Sequence, residues 1–226
     1  MTADLSGWTP RPLPQRTVIE GRYTRLEPLD PARHGDGLFA ALMVEAPAND
    51  HLYLFETAMS RADFQGWIEA KAKRTDIVCH VVIDRETGHI GGRQDFMRIE
   101  PAHGVIEIGS IHWGPGIARS KVASEALYLF ARHAFEDLGY RRFEWKCNNE
   151  NEPSKRAALR FGFTYEGLFR QHMVAKGRNR DTAWYSMLDG EWPAIRAMFD
   201  GWLDPGNFDS DGRQKRRLED FREKPQ

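Results

Sequence analysis

The run Glu107-Ile-Gly-Ser-Ile-His-Trp-Gly-Pro-Gly-Ile-Ala-Arg-Ser-Lys-Val-Ala-Ser-Glu125 is the part of this chain best suited to hold a reactive ligand. An apolar strand pattern passes through a Gly/Pro turn directly into a helix start. The first N–H groups of a helix have no internal partner and carry partial positive charge, so this corner can cradle an anion such as a phosphate. A phosphate-bearing cofactor is therefore the expected ligand. Neither a Walker loop nor a GxGxxG fingerprint is present, which argues against nucleotide hydrolysis and nicotinamide chemistry. By itself the pattern is also that of any strand-turn-helix unit in an α/β domain.

The elements that must position this corner can be read from periodicity. Val105, Glu107, Gly109 and Ile111 alternate with Ile106, Ile108, Ser110 and His112, the signature of a two-faced strand. Apolar residues recur at helical spacing over 119–138, and Gly139 stops that helix. Further strands are expected at 23–28, 77–83, 89–97 and 142–147, and the last of these has Arg142, Glu144 and Lys146 on a wet face. Helices are expected from Pro31, over 61–73 with Phe64, Trp67 and Ile68 inward, after Asn151 and over 192–202. Residues 163–174 and 182–188 form a hairpin about a Lys-Gly-Arg-Asn-Arg-Asp turn.

The chain has 226 residues, 41% of them hydrophobic, enough for one domain with a substantial core. The expected organisation is an extended arm (1–16), a folded domain (17–204) and a charged tail (205–226). A net charge of −1 argues against nucleic acid as a partner, and the basic clusters at 176–180 and 213–217 read as solvated turn and tail. No apolar run suits a bilayer, so neither a membrane partner nor a membrane span is expected. Cys79 and Cys147 lie in strand-like runs and read as buried thiols of a cytoplasmic protein. No Cys/His spacing matches a metal site.

In order and spacing, Ile108-Gly-Ser-Ile with Ala123-Ser-Glu-Ala126, then Asn151-Glu-Pro-Ser154 with Ala157-Ala-Leu-Arg-Phe-Gly-Phe163-Thr-Tyr-Glu-Gly167, resemble the GNAT superfamily of acyl-CoA N-acyltransferases. The resemblance is to its Rim-type branch of ribosomal-protein N-terminal acetyltransferases and covers residues 23–188. It implies an α/β (α+β) fold with a mixed, mostly antiparallel sheet of six to seven strands, splayed between the fourth and fifth and flanked by helices. It also implies acetyl-CoA as acyl donor, with no metal, and a primary amine as acceptor.

The resemblance places the coenzyme's diphosphate on Ala118, Arg119, Ser120, Lys121, Val122, Ala123 and Ser124. Here the chain departs from the family's Arg/Gln-x-x-Gly-x-Gly/Ala loop: in the register Gly116-Ile-Ala-Arg119-Ser-Lys121, cations replace both glycines. Ile111, His112 and Trp113 are implied to line the pantetheine and polarise the thioester carbonyl, and Asn149 and Asn151 to bind the pantetheine. Ser154 is implied to donate a proton or hydrogen bond to the departing thiolate, with Glu107 or His172 as base. Tyr53, Trp67, Arg93, Arg170, His172 and Tyr185 are acceptor-side candidates.

An α-amine with a pKa of ~7.7 is substantially neutral at pH 7 whereas a lysine at ~10.4 is almost wholly protonated and needs roughly 4 kcal/mol more help, so a peptide N-terminus or small amino compound is the expected acceptor. A coenzyme A-binding sensor without catalysis is the competing reading. The hairpin near Arg178 and the Trp-rich final helix offer surfaces for a homodimer.

Overall fold

The apolar alternation becomes a single eight-stranded sheet in the computed structural model, which describes residues 4–47 and 49–222. The first three residues of the expected arm and the last four of the tail lie outside the described residues. The strands are β1 (Ile19–Glu20), β2 (Thr24–Pro28), β3 (Val78–Asp84), β4 (Ile90–Glu100), β5 (Val105–Trp113), β6 (Arg142–Asn148), β7 (Thr164–Ala175) and β8 (Arg178–Leu188). Their order is β1-β2-β3-β4-β5-β6-β8-β7. The short β1 is the strand that periodicity misses. Every neighbouring pair is antiparallel except β5 and β6.

Helices cover both faces. On one, α1 (Pro31–Phe39) and α2 (Arg61–Ala72) bury Leu38, Phe64 and Ile68 against Cys79 and Val81 of β3. On the other, α3 (Lys121–Arg132), α4 (Glu152–Arg160) and α5 (Trp192–Trp202) close over the larger core, where Phe96 and Phe130 stack at 3.8 Å. The expected helix over 119–138 is shorter. Ser120 caps it, its hydroxyl accepting from Val122 and Ala123 N–H, and a π-helical turn (His133–Asp137) carries the chain to Gly139 at φ 68°. Glu125 anchors this helix to the β1–β2 turn by accepting from the N–H groups of Arg22, Tyr23 and Thr24.

The parallel ladder between β5 and β6 runs from Val105↔Arg142 to Ile108↔Trp145 and ends there, although β5 continues to Trp113 and β6 to Asn148. The cause is local. Across β4, Arg93 pairs with His112 and Asp95 with Gly109, so Ser110 and Ile111 together face Gln94, and Ser110 takes φ 51°. A bulge of this kind bends and twists its strand, which swings the end of β5 away from β6. The strict alternation expected along β5 therefore breaks at Ser110. Arg93, 1% exposed, holds the strained residue by donating from Nη1 to both the Ser110 carbonyl and its Oγ.

The hairpin turn is tighter than expected. Lys176 and Gly177, at φ 52° and 73°, form the two-residue connection whose twist matches paired strands, so β8 begins at Arg178. The wet face expected on β6 is also absent: the Glu144 and Lys146 side chains are 8% and 5% exposed and join an ion-pair chain from Arg98 through Glu107, Lys146, Glu144 and Arg142 to Glu166. A charged face can be buried when each charge finds a partner.

Candidate active site

Two cavities open where β5 and β6 part, and they share Tyr53, Leu54, Ile111 and Asn151 as common wall. The first, about 1470 Å³, runs along Ile111, His112 and Trp113 and over the turn to α3, where Gly116 and 118–124 line it. Arg119, in the place of a family glycine, adopts φ 63°. This is the left-handed region, unusual for a residue with a side chain, and such a residue turns successive N–H groups to one side. Among the described residues, the N–H groups of Gly116, Arg119 and Lys121 find no acceptor in the chain, whereas those of Val122 and Ala123 are taken by Ser120. The free amides thus lie in the turn, one step before the first helical turn. Arg119 is exposed, Lys121 Nζ lies over the Tyr23 ring at 4.5 Å, and Arg160 donates to Ser124 Oγ. Unpaired amides with adjacent cations fit a diphosphate.

His112 is buried with Nε2 on Asp50, and His51 stands edge-on to it at 5.0 Å. Desolvation, reinforced by Arg93, pushes the His112 pKa down to about 4, so the ring is neutral at pH 7.

The second cavity, about 770 Å³, contains Glu107, Ser154 and His172 together. Trp145 Nε1 donates to Ser154 Oγ at 3.0 Å. An indole N–H only donates, so the serine accepts this bond and keeps its own proton to donate, with the Cys147 sulfur beside it as a weak acceptor. Glu107, 2% exposed, is gripped by Arg98 and by Lys146. His172 bonds Thr182 Oγ1 through Nδ1, and desolvation followed by the nearby Arg98, Arg180 and Lys146 lowers its pKa. Burial raises the pKa of Cys147, which also lines this cavity, so its sulfur stays a thiol.

Not every sequence candidate reaches the cavities. Asn149 lines neither; its N–H donates to the Asp181 carbonyl and its own carbonyl accepts from Lys155. Tyr185, 2% exposed, belongs to the larger core, its ring beside Tyr165 of β7, and Arg170 is solvent-exposed outside both cavities. Arg93 is committed to Ser110 and Glu56. Asn151 uses Oδ1 to cap α4 by accepting from Ser154 N–H, leaving its amide NH₂ toward the common wall.

Several lining residues escaped sequence reasoning: Asn49, Asp50, Leu52 and Leu54 beside the expected Tyr53; Arg160; and the segment 208–214, part of the expected charged tail. That segment is held by a bridge between Phe208 and Gln214 and by Trp202 Nε1 donating to Gln214. Buried Leu218 follows it. Trp202 and Phe208 offered the available signal, as aromatics just ahead of a charged stretch.

Comparison with known proteins gives the family. Residues 24–164 match the family model described as an acetyltransferase (GNAT) domain, and the chain belongs to that family. A crystal structure of a GCN5-related N-acetyltransferase from Brucella melitensis is 56% identical, with a TM-score of 0.94 over 96% of this chain and 99% of that one. An uncharacterized N-acetyltransferase, p20, from Bacillus licheniformis is 33% identical over 129 residues, covering 55% of this chain and 67% of that protein. The ribosomal-protein-serine acetyltransferase of Escherichia coli is 39% identical over 80 residues, 34% of this chain and 42% of that protein. The chain is thus an N-acetyltransferase by family, whose general reaction takes its acetyl group from acetyl-CoA. No helix among the described residues is long and apolar enough to cross a membrane.

Proposed function

We propose that the chain transfers an acetyl group from acetyl-CoA to a primary amine of low pKa, a peptide N-terminus or small amino compound, which attacks the thioester directly. The observation that carries this reading is the meeting of the two cavities at the β5/β6 parting, over the shared residues Ile111 and Asn151. Donor and acceptor can enter from opposite sides and touch only there, and holding them so removes most of the entropy of encounter. In this reading the free amides of the 116–121 turn, with Arg119 and Arg160, hold the diphosphate of the donor. The unladdered N–H edge of β5 beyond Ile108 polarises the thioester carbonyl.

Ser154 gives its hydroxyl proton as a hydrogen bond to the departing sulfur. A raised Cys147 pKa speaks against an acyl-cysteine intermediate, since a thiol is a poor nucleophile. His172, neutral at pH 7, receives the proton of the amine at the cavity rim, while Glu107 is taken up by its ion pairs to Arg98 and Lys146. Free, buried Cys79 and Cys147 suit a reducing cytoplasm.

The test is calorimetry with acetyl-CoA followed by thiol release over a panel of amines, including peptides with free and with blocked N-termini. Thiol release coupled to N-acetylation of free α-amines is expected. Tight binding of acetyl-CoA with no release under any condition would show a sensor instead, and equal turnover of a blocked peptide bearing only lysine would refute the acceptor class.

A further inference from the structure

The basic cluster at 176–180 is the exposed turn that the sequence suggests over 176–179, but Arg180 leaves it. Lys176 reaches the His51 carbonyl, and Arg180, 9% exposed, turns into the second cavity. Its position is fixed by the sheet, where it pairs with Met173 across the β7 irregularity and its guanidinium stacks on Phe55 at 4.6 Å.

The charge inventory of this cavity singles it out. Lys71 is matched by Asp95, Arg74 by Asp76, and Arg98 and Lys146 by Glu107. Glu56, the remaining carboxylate of the wall, is held by Arg93. The chain from Arg98 to Glu166 is itself balanced, three cations to three carboxylates. Among the cations that line this cavity Arg180 alone has no carboxylate and no hydrogen-bond partner, and its Nε is fully buried without an acceptor. Glu107, the carboxylate that acts on it most strongly, is already shared by two cations. An arginine does not shed its charge, so burying one unpaired is costly unless an anion arrives to complete it.

We infer that the amine acceptor carries a carboxylate and that Arg180 binds it. This rests on the acetyl-transfer reading above and takes the small amino compound of its two acceptor types, as amino acids and amino-acid-like amines, whose carboxylate leaves the α-amine less neutral than that of a peptide. The planar guanidinium can take a carboxylate through two parallel hydrogen bonds, and Phe55, 51% exposed on its loop, fixes the plane of the fork. Tyr53, Trp67 and Trp145 on the same wall supply apolar surface for a side chain. The same anion could also be the acidic second residue of a peptide N-terminus, and the experiment separates the two sources.

The experiment titrates the common amino acids in N-acetylated form, and each matching N-acetyl amide, into the coenzyme A-loaded protein by calorimetry. Turnover of the free amino acids, their amides and C-terminally amidated peptides with Asp or Ala second is measured alongside. Acids are expected to bind and to turn over at least about 10-fold better than amides, the range of a charge-assisted bond. The preference is the more telling because the amide's amine is the more neutral, so reactivity alone would favour it.

Arg180→Gln should remove the preference through KM with kcat little changed, and Arg180→Lys should restore part of it. Both should keep acetyl-CoA affinity, and Arg180→Gln should melt no lower than the parent, since an unpaired buried charge is relieved. Phe55→Ala, which leaves the charge in place, should weaken the preference. A preference found only with the Asp-containing peptide assigns the carboxylate to a peptide and overturns the amino-acid class. Equal binding of acids and amides, or no acid bound at all, overturns the role of Arg180. Binding of acids without acetylation of any amine leaves the anion site standing and refutes the transferase reading.

Discussion

Replacing Ser154 with alanine separates chemistry from architecture. The Ser154 hydroxyl accepts from Trp145 Nε1 at 3.0 Å, which leaves one proton to donate. A hydrogen bond to a developing thiolate is charge-assisted, worth about 2 kcal/mol, or roughly a 30-fold loss of kcat when deleted. The same change strands the indole N–H of Trp145, a residue 5% exposed. Because that N–H borders a cavity which water can enter, the stability loss should sit near the low end for an unmet donor, about 1 kcal/mol, or a fall of about 2–4 °C in Tm.

Single-turnover thiol release measures the first quantity and thermal unfolding the second, with calorimetry checking that the Kd for acetyl-CoA holds. Ser154→Thr, which keeps a hydroxyl in the same first helical turn, should recover much of the rate. The reasoning is refuted if Ser154→Ala changes kcat by less than twofold while Tm falls, or if the whole loss appears in the Kd.

Other perturbations probe other parts of the structure. Arg119→Gly removes a cation but suits φ 63°, so Tm should rise by the equivalent of about 1 kcal/mol while acetyl-CoA binds a few-fold more weakly, an effect that fades at high salt. Glu125→Ala leaves three backbone N–H groups at the β1–β2 turn without their acceptor and should cost at least about 3 kcal/mol in denaturant unfolding. His80, 1% exposed, has its pKa lowered by desolvation from 6.5 to about 4. Its contribution to stability is complete above pH 6.5 and is lost as pH falls toward 4, by about 3 kcal/mol in all, with His112 acting in the same direction; unfolding curves from pH 7 to 4 read this out. His172→Asn should flatten the acid limb of kcat/KM, which otherwise falls below the depressed pKa of that ring, while leaving Tm unchanged.

What the sequence determined by itself was everything carried by short-range pattern. Period-two and period-3.6 spacing drew the strands and α5, Asp30-Pro31 and Asn151 announced helix starts, and the glycine at 139 announced a stop, because caps and periodicity depend on a few adjacent residues. The two motif blocks were enough to indicate the family. Tertiary structure decided where alternation fails and which charges meet. The bulge at Ser110 exists because Arg93 and Lys71, from other elements, hold its hydroxyl, and no local signal separates it from an ordinary strand residue.

The face of β6 looked wet because a single strand cannot reveal that Arg98, Glu107 and Glu166 arrive from three others to neutralise it. The tail looked loose because its docking depends on Trp202 and Asn207 behind it. Arg180 looked like part of a solvated turn for the same reason: burial and pairing are sums over the whole neighbourhood, and sequence lists only the residues that take part.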